Sequence, residues 1–494
     1  MKSYVIPKNP HFVGRQDEIA RLKEITSRHQ ASFIVVYGRR RVGKTELVEQ
    51  FFRGEMVFKF EGLELEENKT FESLQKIQIN NCLKRLSDYL ENPLLQKIIC
   101  SSWTEFFELL NEVACHKNIV LYFEEIQWLA SYQSHFFAEL KPFWDDFWRH
   151  NKKFKLVICG SSTSFIVDQL LSSKAIYARV QEEFHLKEFD ITETKAFLKN
   201  KGNKEVMLAQ LAVGGISEYL NRLKGAGTVL SNLCKHSFIP SSFFSLEKDK
   251  IFVSSLSRNK YYKKIIEFLA KKKFADALEI TKSIKGNARG GGSITLILED
   301  LKRAGFIKKY NPIHKEERSK LVRYCLQDEY LQFYYKFIQP KLKKIEGKVF
   351  VKDPIKALNK KSFEIVMGFN FERWCQKNAH LFARILGFSG MEYEAGPFFD
   401  KKTQKEKNGV QIDLMYIIKG SKIVICEIKY FNGLVGNSVC KSIQEKIRLF
   451  QESQPKYKNY TYEAILITTE GVKDRAIIET VFDRVVTFDD IFSC

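Results

Sequence analysis

An apolar run, Phe33-Ile34-Val35-Val36-Tyr37, passes directly into Gly38-Arg39-Arg40-Arg41-Val42-Gly43-Lys44-Thr45, and this junction restricts the fold more than any other segment. The run reads as a buried strand, and the G-x-x-x-x-G-K-T spacing reads as a phosphate-binding loop. Its two glycines let the backbone N–H groups from Gly38 through Gly43 curl around phosphates, Lys44 reaches the terminal phosphates, and the Thr45 hydroxyl is placed to ligate Mg2+. Leu47, Val48, Phe51 and Phe52 follow at helical spacing, which sets the anion at a helix N-terminus where the peptide dipoles favour negative charge. A nucleotide such as ATP, with Mg2+, is the ligand this chemistry implies.

At 494 residues the chain is too long for one core, and the usual domain size predicts about three. Hydrophobic residues make up 44%, with 41 Phe and 20 Tyr, so packed cores are expected rather than disorder. No run of 18 apolar residues occurs and the first residues lack a signal-peptide pattern, so a cytoplasmic protein with no membrane partner is expected. The ten cysteines form no C-x-x-C pair and no zinc-spaced cluster, as suits buried thiols in a reducing compartment. The formal net charge is +21, and residues 258–348 hold 23 Lys/Arg against 10 Asp/Glu. Charge gathered in this way favours DNA as a partner over a merely lysine-rich composition.

Two further apolar runs complete the first site. Ile119-Val120-Leu121-Tyr122-Phe123 ends in Glu124-Glu125, where one carboxylate can hold Mg2+ and the next can polarise the attacking water. The first acid is more often Asp; Glu124 reaches one methylene further. Lys155-Leu156-Val157-Ile158-Cys159 ends in Gly160-Ser161-Ser162-Thr163-Ser164, whose hydroxyls either sense the terminal phosphate, Ser161 first among them, or form only a turn and helix cap. Strands alternating with helical stretches predict an α/β fold with a doubly covered parallel sheet.

Phe12-Val13-Gly14-Arg15 with Glu18, the glycine-rich loop, Phe123 to Leu129 and Cys159 to Ile166 together resemble the archaeal-type P-loop ATPases of the AAA+ and STAND assemblage. The resemblance implies that Gly14 and Arg15 lie near the adenine and that Arg179, in Ile176-Tyr177-Ala178-Arg179, acts near the γ-phosphate. On its own chemistry Arg179 reads equally as a surface or structural arginine. The family's Gly-Gly-x-Pro-x-Tyr-Leu lid string is matched by Gly214 to Leu220 except that Ser217 replaces Pro, a change expected to loosen the turn.

Residues 261–310 read as three helices and the start of a hairpin, with Leu321 to Leu326 as the returning strand, which is a winged-helix pattern. Arg289, Lys302, Arg303, Lys308, Lys309, Arg318, Lys320 and Arg323 are its candidate phosphate contacts. The alternative is a protein-docking spacer, because the third helix offers few side chains able to read base edges.

In the last quarter, Gln411 to Ile418 and Ile423 to Lys429 read as a hairpin across the turn Gly420-Ser421. Glu427 and Lys429 fall on one strand face, and the hairpin brings Asp413 beside them. Two carboxylates bind Mg2+, and a lysine orients or deprotonates the water that attacks a phosphodiester. This Asp…Glu-x-Lys set resembles the restriction-endonuclease-like PD-(D/E)xK nucleases, and Glu372 matches the acidic residue that this superfamily often carries upstream. The expected organisation is an ATPase core at 1–190, a helical lid at 191–255, a winged helix at 256–345 and a nuclease-like domain at 346–494. The expected function is an ATP-controlled, Mg2+-dependent DNA nuclease with Glu125, Arg179 and Lys429 as catalytic residues. The alternative is an ATP-driven switch or DNA-binding scaffold, with a second copy or another protein as partner.

Overall fold

The computed structural model describes residues 1–494 apart from 66–69, 115–116, 162, 172–175, 257–258, 286–291, 312, 314–321, 400–410, 421, 431–432 and 494. Ser162, Arg289, Arg318, Lys320 and Ser421 lie outside the described residues. The chain divides into two compact units, Met1–Phe189 with Ile216–Glu218, and Asp190–Gly215 with Tyr219–Cys494.

The first unit is built on five strands, β1 (Ser32–Tyr37), β2 (Val57–Glu61), β3 (Val120–Glu124), β4 (Lys155–Gly160) and β5 (Glu182–His185), in the order β2-β3-β4-β1-β5. Every neighbouring pair is parallel. Such strands are covered on both faces and therefore read as continuous apolar runs rather than alternating ones. Indeed all six residues of β1 are buried. Phe33, Val35 and Tyr37 face an aromatic core with Phe58, Phe60, Trp103, Phe107 and Phe123, whereas Ile34 and Val36 face Leu47, Val48, Val57 and Val157 on the other side. The register Tyr37↔Gly160 places the end of β4 beside the start of the phosphate loop, as the sequence led one to expect. Helix Lys44–Phe51 then leaves the loop at Gly43, whose φ of 95° is one that glycine adopts without steric cost.

The second unit begins with helices that include Ile191–Phe197 and Asn203–Val213. Helices Lys260–Ala270, Ala277–Lys285 and Gly292–Arg303 lead into the antiparallel pair β6 (Ile307–Tyr310) and β7 (Arg323–Leu326), within a residue or two of the expected bounds. Helix Lys360–Lys377 precedes a mixed sheet of β8 (Tyr393–Phe399), β9 (Gln411–Ile418), β10 (Lys422–Lys429), β11 (Thr461–Thr468) and β12 (Arg484–Val486), ordered β12-β11-β10-β9-β8. β8, β9 and β10 run antiparallel, while β10, β11 and β12 run parallel. Helix Ser438–Ser453 occupies the β10–β11 crossover that parallel pairing requires. Among the described residues no helix is long and apolar enough to cross a membrane. The eight described cysteines are all buried and free.

Candidate functional sites

The first candidate site lies at the carboxyl ends of β1, β3 and β4. Gly38 has φ 146° and Gly43 φ 95°, and a Cβ on Gly38 would stand 2.3 Å from the Leu186 carbonyl oxygen, so this turn requires glycine. Between them Arg41 adopts φ 71°. Lys44 is not exposed, as a free phosphate ligand would suggest, but only 6% accessible, because the loop curls over it and its Nζ donates to the Arg39 carbonyl at 3.0 Å. Arg40 lies in the turn between these anchors. The Thr45 hydroxyl contacts Glu124 directly, so the two expected Mg2+ ligands are brought together by loop and strand. That donor set, a hydroxyl and a carboxylate beside a lysine at a helix N-terminus, fits a magnesium-bound nucleoside triphosphate.

Glu124 also meets Lys59, which sequence reading missed because Lys59 stands on β2 and reaches Glu124 only through strand pairing. Lys59 bonds Glu49 at 2.8 Å as well. Burial opposes its charge, yet the Glu124 and Glu49 carboxylates outweigh burial and hold its pKa above the usual lysine value.

Glu125 follows at the strand's end with φ 50°, an uncommon backbone for a residue that carries a side chain. Its Oε2 accepts from Gln127 Nε2 at 2.6 Å and from the Ser161 hydroxyl at 2.9 Å, and Gln127 donates to Ser161 at 3.0 Å. Ser161 therefore joins the site through Glu125. Gln127, 1% accessible, was not singled out from the sequence.

Arg15 is buried with φ 63°, following Gly14 at φ 78°; its Nη2 donates to the Val42 carbonyl at 2.8 Å and its guanidinium lies over Phe189 at 4.6 Å. Arg15 of the Phe-Val-Gly-Arg box thus braces the phosphate loop at Val42. Ser217 does not leave a loosened turn: its hydroxyl donates to the Arg41 carbonyl at 3.0 Å, a bond proline cannot make. Arg179 is committed to Asp145, Nε to Oδ1 at 2.5 Å and Nη2 to Oδ2 at 2.6 Å, and this pairing holds the Asp145 carboxyl below its usual range. The structure thus brings Arg179 to an acidic partner on helix His135–Asp146.

The second candidate site lies where β9 and β10 pair. The paired register ends at Leu414↔Cys426, so Asp413 and Glu427 are the next residues on the two strands, at positions that share one face of the sheet. Glu427 is 1% accessible and ion-paired twice, to Lys429 at 2.8 Å and to Lys446 at 2.6 Å. Although burial works against its charge, these two ammonium groups prevail and hold its pKa below the usual value. Lys446, on helix Ser438–Ser453, escaped sequence reading because only the parallel crossover brings it to the strand. Asp413 accepts from Gln411 at 2.9 Å, and its carbonyl accepts from Gln376 Nε2 at 2.8 Å. Burial and the nearby Asp413 charge push Glu372 up to about 7, while Lys273, 3.4 Å away, pulls against them.

Among the described residues no group of three or more His, Cys, Asp or Glu is gathered closely enough to hold a metal, and in this arrangement Glu372 pairs with Lys273 and Glu427 with Lys429 and Lys446. Further, the lysines and arginines of the third helix and the hairpin are not a uniform free face. Lys308 lines a pocket with residues of helix Lys360–Lys377, the Arg323 guanidinium lies over Phe399 at 4.5 Å, and Lys302 pairs with Glu299 at 3.2 Å.

Comparison with known proteins addresses the first site more than the second. Residues 12–223 match a family described as an ATPase domain predominantly from Archaea. Uncharacterized protein MJECL04 of Methanocaldococcus jannaschii is 29% identical over 367 residues, which cover 73% of this chain and 76% of that protein. Uncharacterized ATP-binding protein MJ0423 of the same organism is 39% identical over 46 residues, 9% of this chain and 78% of that protein. The solved structure of the Walker-type ATPase PABY2304 of Pyrococcus abyssi superposes with a TM-score of 0.50 at 18% identity, covering 67% of this chain and 98% of that one, a likeness of fold.

Proposed function

Starting from an ATPase domain of the archaeal type at residues 12–223, we propose that the chain binds ATP with Mg2+, hydrolyses it at the glycine-rich loop, and uses its second unit to bind DNA and cleave it. The observation that carries the first part is the contact of Thr45 with Glu124, with Glu125 one residue further on. In this reading Thr45 and Glu124 would hold the metal, which supplies charge neutralisation at the phosphates. Lys44 binds the terminal phosphates, and Glu125 orients and takes a proton from the attacking water once Gln127 and Ser161 yield their hold. Arg179 joins the reaction only after leaving Asp145.

The second part rests on Asp413 and Glu427 at the adjoining ends of the β9–β10 pairing with Lys429 bonded to Glu427, on Glu372 in the helix that precedes the sheet, and on the order of helix, three antiparallel strands, crossover helix and parallel strand. That order supports a restriction-endonuclease-like domain, and the three helices with hairpin before it support a winged helix. DNA is favoured by the basic surplus in residues 258–348. A second reading, a nucleotide-driven DNA-binding scaffold without cleavage, is favoured by the two lysines that neutralise Glu427.

The deciding assay incubates the purified chain with supercoiled, linear and branched DNA, with Mg2+ or Mn2+, in the presence and absence of ATP. Cleavage that needs the metal and disappears in Asp413→Ala supports the nuclease reading. DNA binding without cleavage under every condition, unchanged in Asp413→Ala, supports the scaffold.

A further inference from the structure

A pocket in the second unit is lined by Lys308 and Cys325 of the hairpin, by Gln332, and by Asn370, Arg373 and Gln376 along helix Lys360–Lys377. Neither candidate site uses it. Its cationic side is Lys308 and Arg373; a further lysine there, Lys377, faces Glu329 at 3.9 Å, which leaves two positive charges in excess. Among the described residues Lys308 Nζ makes no hydrogen bond or ion pair. The Arg373 guanidinium is fixed by the Leu326 carbonyl at 3.3 Å, Gln332 Oε1 at 2.6 Å and the Lys273 carbonyl at 3.1 Å, and its Nε remains buried without a hydrogen-bond partner. A buried charged donor left so is costly, and a ligand that accepts from both cations recovers that cost.

Two amides on the same helix, flanking Arg373, have the reverse character. Asn370 is 3% accessible, its Nδ2 donates to the Leu211 carbonyl at 2.8 Å, and its Oδ1 has no hydrogen-bond partner. Gln376 donates through Nε2 to the Asp413 carbonyl at 2.8 Å and to the Tyr310 hydroxyl at 3.2 Å, and its Oε1 is likewise unsatisfied. The Leu211 and Asp413 carbonyls fix both amides the same way round, since a flip would set oxygen against oxygen. The pocket therefore presents two cationic donors and two carbonyl acceptors.

We propose that this pocket binds a protonated oxyanion, the hydrogen phosphate ion or a terminal phosphate monoester in its singly protonated form, whose oxygens accept from Lys308 Nζ and Arg373 Nε while its hydroxyl donates to Asn370 Oδ1 or Gln376 Oε1. Sulfate matches the charge but carries no hydroxyl at neutral pH, so the two amide acceptors discriminate against it. Chloride satisfies only the cations. Burial pushes the Lys308 ammonium below the usual lysine range and the Arg373 guanidinium adds to that push, which is the field an anion between the two relieves. The inference needs neither ATP hydrolysis nor DNA cleavage.

The test is calorimetric titration of the full-length protein with sodium phosphate and with sodium sulfate at matched ionic strength. The glycine-rich loop is first saturated with a nonhydrolysable ATP analogue and Mg2+, whose own binding is measured beforehand, so that a fault in the nucleotide reading shows separately. If the analogue does not bind, the titrations are run on Lys44→Ala. Phosphate is expected to bind at least about tenfold more tightly than sulfate, and Lys308→Met to lose about tenfold or more of the phosphate affinity, the worth of one charge-assisted hydrogen bond. Glycerol 3-phosphate separates the two sources: binding of phosphate alone assigns the free ion, and binding of both assigns a terminal phosphate group. Equal affinity for sulfate, or phosphate binding unchanged in a folded Lys308→Met, overturns the proposal. Should that variant not fold, crystals of the parent soaked in arsenate give the answer without it. An anomalous peak between Lys308 and Arg373 supports the site, and its absence there overturns it.

Discussion

At the scale of single residues, the first site turns on how a buried carboxylate is kept charged. Glu124 stands where Asp is more usual, and its extra methylene carries the carboxylate to both Thr45 and Lys59. Lys59→Met removes the compensating charge and should destabilise the protein by about 3 kcal/mol or more, the cost of stranding one partner of a buried pair. Adding Mg2+ and ATP should shrink that deficit, because the metal would replace the lost positive charge. Denaturant titration of parent and variant, with and without Mg·ATP, checks both statements; an equal deficit in the two conditions would detach Lys59 from the metal position. The sign with pH follows from a lysine pKa raised in the folded state. The stabilisation is fully present below the unfolded lysine value of about 10.4 and is lost only as pH rises beyond it through the folded value. Next along the strand, Glu125→Gln should leave ATP binding intact and slow turnover by about 10²- to 10⁴-fold, the usual contribution of a positioned base. Parental turnover in that variant would move the role elsewhere, to Glu124 first.

At the scale of elements, the strand–loop–helix unit shows what local spacing can and cannot reveal. Gly38 is required by a backbone at φ 146° and by the Leu186 carbonyl behind it. Gly38→Ala should therefore cost more than about 1 kcal/mol of stability and weaken ATP binding as well; a variant with parental melting and affinity would contradict this account of the turn. The loop, the Glu124-Glu125 strand end and the β9–β10 hairpin were legible because each is a short motif whose chemistry depends on neighbours in sequence. The roles of Lys59, Gln127 and Lys446 were not, nor was the bond that Ser217 makes to the phosphate loop. Three of them reach their partners across strand pairs, a crossover or a distant turn, and Gln127 acts through a Ser161 that stands 34 residues away. The same limit explains Lys308: its place on a basic hairpin was readable, but not that β6 lies against helix Lys360–Lys377. For the hairpin and third helix, reversing the charge of Arg303 and Lys309 together should weaken binding to unrelated DNA sequences and flatten the salt dependence. An unchanged salt slope would favour a protein-docking role.

At the scale of the whole molecule, two sites with different chemistry share one chain. Lys44 and Glu125 follow strands of a parallel sheet, and Asp413, Glu427 and Lys429 lie on strands of a mixed one. ATP can alter events at the second site only by binding two arrangements of the chain with different affinity, so coupling requires a difference in free energy and not mere tethering. The basic segment at 258–348 lies between them in sequence and, in the proposed reading, is where DNA would bias that choice. In the proposed function, nucleotide turnover at the first site would govern DNA cleavage at the second. The most direct measurement follows phosphate release and the conversion of supercoiled DNA in the same reaction for the parent, Lys44→Ala and Asp413→Ala. The expected result is that Lys44→Ala loses phosphate release and changes the cleavage rate, whereas Asp413→Ala loses cleavage and keeps phosphate release; cleavage by Lys44→Ala at the parental rate, with and without ATP, would contradict the claim.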